Sequence, residues 1–266
     1  MSNPLLQKIK LPGRIFQLPS KGIFYKPETL AEHVKNGEVE VQPLSALAEL
    51  KLRSPDMLFS GRALREIVLE CIPDIKDPDQ LVSKDVDAIW CFLKIVTYGP
   101  EMKFKSIHDC PGRQVHNQRV NVEELVMNPR NEVLDHASTL YLVTLSNGQR
   151  VKLKPVRFND AIEALHLQQR AEKELSETGH VNQKVMEDAI VNDLLAIIDN
   201  VDGVTDRQQI EEWVRSLPKK MFTEIIEASM KCGDWGFNLK VQLKCEDCGE
   251  IYEHDLELDP INFFSG

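Results

Sequence analysis

The residues of this chain best suited to chemistry are two cysteine turns that lie far apart in the sequence. Near the C-terminus, Cys245-Glu246-Asp247-Cys248-Gly249 has the CxxC spacing of a metal-binding knuckle, in which a tight turn points two thiolates at one spot. A tetrahedral zinc ion needs two further nitrogen or sulfur ligands. The other candidate turn, Cys110-Pro111-Gly112-Arg113, supplies one cysteine and has an arginine where a second thiolate would stand.

Both cysteine turns are flanked by the same local pattern. A strand-like alternation lies on each side of each turn, and a histidine follows the last cysteine by six residues, His116 after Cys110 and His254 after Cys248. Two such β-knuckles folded against each other would form a zinc-ribbon arrangement. The candidate metal ligands are then Cys110, His116, Cys245 and Cys248, with His108 as the alternative to His116.

The interpretation without a cofactor is nevertheless favoured. Arg113 would place a cation where a ligand is needed, and a cation opposes a bound metal electrostatically. The two turns would then pack as a ribbon through their apolar strands, and zinc is kept as the alternative. A redox CxxC pair fits less well, because thioredoxin-like motifs lie between a strand and a helix, whereas a strand follows Cys248.

Other catalytic signatures are absent from the sequence. No glycine-rich phosphate loop follows a strand, and neither Gly-x-Ser-x-Gly nor His-Glu-x-x-His occurs. Cys71 and Cys91 lie inside apolar helical patterns and are expected to be core residues. We therefore expect no enzymatic activity.

The elements that must position the cysteine turns follow from hydrophobic periodicity. Strands are predicted at residues 14–18 and 39–42, and helices over 44–52, 64–71 and 83–98. Residues 102–156 read as strands, including a hairpin in which Asn147-Gly148 would form a type I′ turn. Residues 159–231 read as helices, one of them opened by a capping box at Thr205.

These elements predict an α+β fold. N-terminal strands and helices precede a split zinc-ribbon-like β layer, at about 102–156 and 237–260, into which a helical module of about 159–231 is inserted. The predicted domains are an N-terminal α+β region (1–101), a β-rich ribbon-like domain (102–158 plus 232–266) and the inserted helical module (159–231).

Composition limits the environment and the partners. The net charge of −10 argues against nucleic-acid binding, which needs an excess of lysine and arginine. The chain has neither a signal-peptide pattern nor 18 consecutive apolar residues. Its six cysteines resemble a reduced cytosolic set. We expect a soluble chain that is not secreted and does not enter a membrane.

The order of several short motifs resembles the baseplate hub and hub assembly proteins of T-even-like contractile-tailed bacteriophages. The resemblance spans nearly the whole chain, and the motifs that carry it are Leu18-Pro19-Ser20-Lys21-Gly22 with Phe24-Tyr25, Leu52-Arg53-Ser54-Pro55-Asp56, Cys71-Ile72-Pro73-Asp74, Tyr98-Gly99, Cys110-Pro111, and Cys245-Glu246-Asp247-Cys248-Gly249 to Phe263-Phe264. Some relatives have a fuller cysteine complement in the first knuckle, so Arg113 puts an inherited metal site in doubt.

The resemblance implies a late, non-enzymatic protein of virion and viral tail assembly. It would be a chaperone-like hub assembly factor or a hub subunit, made in the host cytoplasm, that binds other baseplate hub and tail proteins and either leaves or stays in the tail baseplate. Self-association is left open. The alternatives are a zinc-ribbon adaptor or regulatory protein that binds nucleic acid or protein, and a metal or thiol enzyme.

Protein interfaces concentrate their energy in a few aromatic and arginine side chains. The candidate partner-binding residues are Phe263, Phe264, Trp235 and Tyr25. Phe263 and Phe264 are the first choice, because a terminal segment frays unless it docks.

Overall fold

The computed structural model describes residues 12–110, 115–127, 131, 133, 141–178, 182–237 and 239–256. It is a mixed structure of helices and small antiparallel sheets, which confirms the α+β class. No helix in these residues is both long enough and apolar enough to cross a lipid bilayer.

The N-terminal elements form a small sheet followed by helices. Their bounds are β1 Arg14–Gln17, β2 Glu38–Val41, α1 Ala46–Leu52, α2 Pro55–Phe59, α3 Arg62–Cys71 and α4 Ser83–Tyr98, with a 3₁₀ turn at Pro78–Gln80. Helix α4 is buried along most of its length, and Gly99 at φ 87° ends it. The predicted helices are confirmed here, while α2 was not foreseen because Pro55 separates it from α1 by a short break.

A buried carboxylate fastens the loop after β1 to α4. Asp85 has no exposed surface and accepts hydrogen bonds from Ser20 N (2.8 Å), from the Ser20 hydroxyl and from Tyr25 Oη (2.5 Å). The Tyr25 oxygen in turn accepts from Val82 N (3.1 Å). Gly22, at φ 78°, supplies the left-handed conformation that turns this loop.

Two β-hairpins form the ribbon layer. Strands β3 Glu101–Ile107 and β4 Val115–Asn121 pair antiparallel. The prediction of strands throughout 102–156 is wrong at Val122–Met127, which forms the short helix α5 and buries Val122 and Val126. The second hairpin consists of β8 Lys240–Lys244 and β9 Ile251–Asp255. The cysteine cluster described below is compatible with the predicted zinc-ribbon-like layer.

A separate three-stranded sheet carries the later helices. Its order is β5–β6–β7, and the elements are β5 Leu142–Thr144, β6 Arg150–Leu153, α6 Phe158–Thr178, α7 Gln183–Ile197, β7 Ile198–Val201, α8 Arg207–Arg215 and α9 Lys219–Cys232. The type I′ turn prediction is wrong, because Thr144 pairs with Arg150 across a five-residue connection in which Gly148 alone has positive φ. Helix α8 is capped by Asp206, not by the predicted Thr205.

Two large hydrophobic cores hold the elements together. In the first, Met102 and Val241 of the ribbon join the N-terminal helices and sheet. In the second, Leu153 of the three-stranded sheet and Ile197 of α7 are buried in one cluster. The division of the chain into 1–101, 102–158 plus 232–266, and 159–231 stays a prediction.

Candidate metal centre

The ribbon hairpins bring the two distant cysteine turns together. His108 and Cys110 follow the end of β3, and Cys245 follows the end of β8. Cys245 N donates to Glu250 O (2.8 Å) and Gly249 N donates to Cys245 O (2.9 Å), which closes a tight knuckle around the CxxC motif. Gly249 adopts φ 77°, a left-handed conformation that favours glycine.

Four nitrogen and sulfur atoms converge between these turns. One donor atom from each of His108, Cys110, Cys245 and Cys248 lies within 4.8 Å of the other three. Cys110 Sγ is 3.8 Å from Cys245 Sγ, and Cys248 Sγ is 3.4 Å from His108 Nδ1. Three thiols and one imidazole are the donor types that structural zinc sites use.

His116, the first choice from the sequence, lies beside this cluster in a second group with Cys245 and Asp247. Its Nε2 is 2.9 Å from Asp247 Oδ2, and its Nδ1 is 3.5 Å from Glu246 Oε2. The hydrogen bond with Asp247 raises the pKa of His116. Both ring nitrogens therefore face carboxylates, whereas the alternative ligand, His108, faces a thiol. Arg113 lies outside the described residues.

The two thiols of the knuckle have opposite pKa shifts. Hydrogen bonds from the backbone amides of Cys248 and Asp247 lower the pKa of the Cys245 thiol. The Glu250 amide acts in the same direction on Cys248, but burial and the neighbouring sulfurs of Cys245 and Cys110 raise the pKa of Cys248 above its usual value. Burial raises the pKa of Cys71 to about 12, and it also raises the pKa of Cys91. Both of these residues are buried, as predicted, and are held as neutral thiols.

Contacts around His108 link one hairpin to the other. Its ring stacks on Tyr252 of β9, with centroids 4.6 Å apart, and its Nε2 lies 3.9 Å from Glu250 Oε2. Tyr252 Oη donates to Ser106 Oγ of β3 (2.8 Å). Neither Tyr252 nor Ser106 is indicated by a sequence motif. The sequence shows only a serine four residues before Cys110 and a tyrosine four residues after Cys248.

Of the four candidate partner-binding residues, the structure describes two, Trp235 and Tyr25. Trp235 is only 6% exposed, and its Nε1 donates to Tyr141 Oη (2.9 Å). Tyr25 is held in the Asp85 network. The structure thus uses both side chains mainly for internal packing. Phe263 and Phe264 lie outside the described residues.

Comparison with known proteins gives one family. The family model described as "T4 bacteriophage base plate protein" matches residues 14–265, a span that includes the first core, the three-stranded sheet and both ribbon hairpins. Comparisons with curated proteins and with solved structures gave no match.

Proposed function

Because the chain belongs to the family of T4 bacteriophage base plate proteins, we propose that it is a non-enzymatic hub assembly factor or hub subunit. It binds other hub and tail proteins during virion morphogenesis. The observation that carries the proposal is the family match over residues 14–265, which takes in every described element. Its working location is the host cytoplasm during assembly, and the tail baseplate if it is retained.

An apolar surface at the cysteine end of the ribbon suits contact with such a partner. We define the ribbon tip as Ile107, Val115 and Ile251, whose exposed fractions are 55%, 55% and 66%. Ile107 and Val115 are paired across β3 and β4. In the sequence Ile107 is next to His108 and Ile251 is next to Glu250, and His108 Nε2 lies 3.9 Å from Glu250 Oε2, so the tip residues adjoin residues of the two cysteine turns. Grouped exposed apolar side chains mark interaction sites more strongly than scattered ones.

The alternative is a zinc-ribbon adaptor or regulatory protein, and the cysteine cluster is the observation that favours it. The net charge of −10 disfavours nucleic acid as the ligand, because phosphate contacts require a surplus of lysine and arginine. A protein ligand fits both the charge and the apolar tip.

The proposal is tested by purifying the tagged full chain from phage-infected host cells and identifying the co-purified proteins by mass spectrometry. We expect baseplate or tail proteins of the same phage in fixed proportion to the chain. The protein content of purified virions then separates a retained subunit from an assembly factor that leaves. Recovery of the chain without any tail protein, together with its absence from virions, overturns the proposal.

Variants locate the contact. Replacing Ile107, Val115 and Ile251 by threonine keeps the β-branched shape and removes apolar surface, so we expect loss of the co-purified proteins. Met230 on α9 is 73% exposed, and Met230→Gln is the matched control that should leave co-purification unchanged. Deletion of Phe263 and Phe264 tests the C-terminal contact predicted from the sequence, and unchanged co-purification after this deletion removes that role.

A further inference from the structure

We propose that His108, Cys110, Cys245 and Cys248 bind one Zn²⁺ ion, with His108 Nδ1 as the fourth ligand. The donor set consists of three sulfur atoms and one nitrogen atom, the chemistry of a closed structural zinc site. This inference does not rest on the proposed assembly function, since it concerns the chain by itself.

Two of the six donor-to-donor distances match the edges of a tetrahedral site, and the other four are below 4.8 Å. Zn–S bonds of about 2.3 Å at tetrahedral angles give an S···S edge of about 3.8 Å, and a Zn–N bond of about 2.1 Å gives an S···N edge of about 3.6 Å. The corresponding distances are 3.8 Å between Cys110 and Cys245 and 3.4 Å between Cys248 and His108. A disulfide needs about 2.05 Å between sulfur atoms. The two thiols therefore stand at the spacing of co-ligands.

The surroundings of His108 prepare it to ligate through Nδ1. Stacking on Tyr252 fixes the ring plane, and the Tyr252 hydroxyl is itself anchored on Ser106. The opposite nitrogen, Nε2, faces the Glu250 carboxylate at 3.9 Å. This distance is longer than a hydrogen bond, but a negative charge on that side favours the tautomer with the proton on Nε2, which leaves the Nδ1 lone pair for the metal.

His116 is placed to support the site without ligating it. Its nitrogens face Asp247 and Glu246, and its side chain is largely buried beside Cys245. We assign it a positioning role, in which the imidazole and Asp247 hold the knuckle from its outer side. Loss of a contact of this kind lowers metal affinity about 10- to 100-fold without removing the site.

A zinc ion would connect the two hairpins at the ribbon tip, where their apolar residues are exposed and not buried in a core. The apolar residues at this end, Ile107, Val115 and Ile251, are exposed, whereas the buried ribbon residues Met102 and Val241 lie in the first core. Cys110 and Cys245 are 135 positions apart in the sequence. Zinc would add a covalent tie between the free ends of the two hairpins, which are otherwise linked there by the stacking of His108 on Tyr252 and the hydrogen bond of Tyr252 with Ser106.

The test is the zinc content of the untagged full chain, purified under reducing conditions and measured by elemental analysis. We expect about one zinc per chain, and loss of most of it in His108→Ala and Cys248→Ser. His116→Ala should retain about one zinc per chain with an affinity lowered about tenfold or more, measured by chelator competition. Cys232→Ser is the matched control, since that thiol is buried in the second core and should not affect zinc content.

Cobalt substitution keeps the proposal testable if a ligand variant folds poorly. The native chain loaded with Co²⁺ should show the visible absorption of a tetrahedral site together with thiolate-to-metal charge transfer. Three outcomes overturn the proposal: no stoichiometric zinc in the freshly reduced chain, zinc content unaffected by both His108→Ala and Cys248→Ser, or loss of the ion in His116→Ala while His108→Ala retains it.

Discussion

Replacing Asp85 by alanine tests how strongly the buried carboxylate holds the loop after β1 against helix α4. The change leaves the Ser20 amide, the Ser20 hydroxyl and the Tyr25 hydroxyl without their acceptor. A donor left unpaired in the interior costs about 1–3 kcal/mol, so the three together cost roughly 6 kcal/mol.

The carboxylate itself carries a cost that the substitution relieves. Burial raises the pKa of Asp85 to about 6. This value is about two pH units above the ordinary one, so its charge at neutral pH costs about 3 kcal/mol. The difference predicts that Asp85→Ala lowers the free energy of unfolding by about 3 kcal/mol. Asp85→Asn keeps the shape and one acceptor without the charge, and we expect a loss of about 1 kcal/mol.

The assay is urea-induced unfolding at neutral pH with zinc and a reducing agent present. Asp188→Ala is the matched control, because Asp188 forms an exposed ion pair with Arg215 at 2.9 Å and such pairs contribute about 1 kcal/mol or less. If Asp85→Ala unfolds within about 1 kcal/mol of the native chain, the assigned contribution of the buried network is refuted.

Three further predictions concern a second carboxylate, an aromatic pair and the knuckle. Burial raises the pKa of Asp87 to about 6. The folded chain therefore binds a proton that the unfolded chain does not, and stability relative to Asp87→Asn should fall by about 1 kcal/mol as pH rises from 5 to 7 in urea titrations. Tyr141→Phe removes the acceptor of Trp235 Nε1, so it should lower the free energy of unfolding by about 2 kcal/mol in the same assay. An unchanged free energy of unfolding would contradict this role of Tyr141. Gly249→Ala places a side chain at φ 77° and should weaken zinc binding about tenfold by chelator competition; unchanged affinity would contradict the knuckle geometry.

The long helices and the ribbon strands could be predicted because their patterns lie within a few neighbouring residues of the sequence. Apolar residues at helical spacing, followed by Gly99, sufficed for α4, and alternation beside each cysteine turn sufficed for the hairpins. Strand β7 was missed because Ile198–Val201 continues the apolar run of α7. Its pairing with β6, about 50 residues earlier in the chain, is a non-local contact that periodicity does not show.

The choice between the two histidines likewise depended on strand register. His116 lies within β4, where it pairs with Ser106, so its side-chain direction is fixed by the ladder. His108 follows the last ladder pair, Ile107 with Val115, and is free to turn toward the knuckle. The spacing from Cys110 alone left both open. The Asp85 network was missed for a similar reason, since its partner Ser20 is 65 positions away.

Whether the chain takes part in baseplate assembly is decided by complementing the phage whose own copy of this chain is inactivated. We predict that the native chain and Met230→Gln restore plaque titre and complete baseplates in electron micrographs, and that the threonine variant of the ribbon tip does not. Normal baseplates and undiminished titre in the absence of the chain would contradict its role in baseplate assembly.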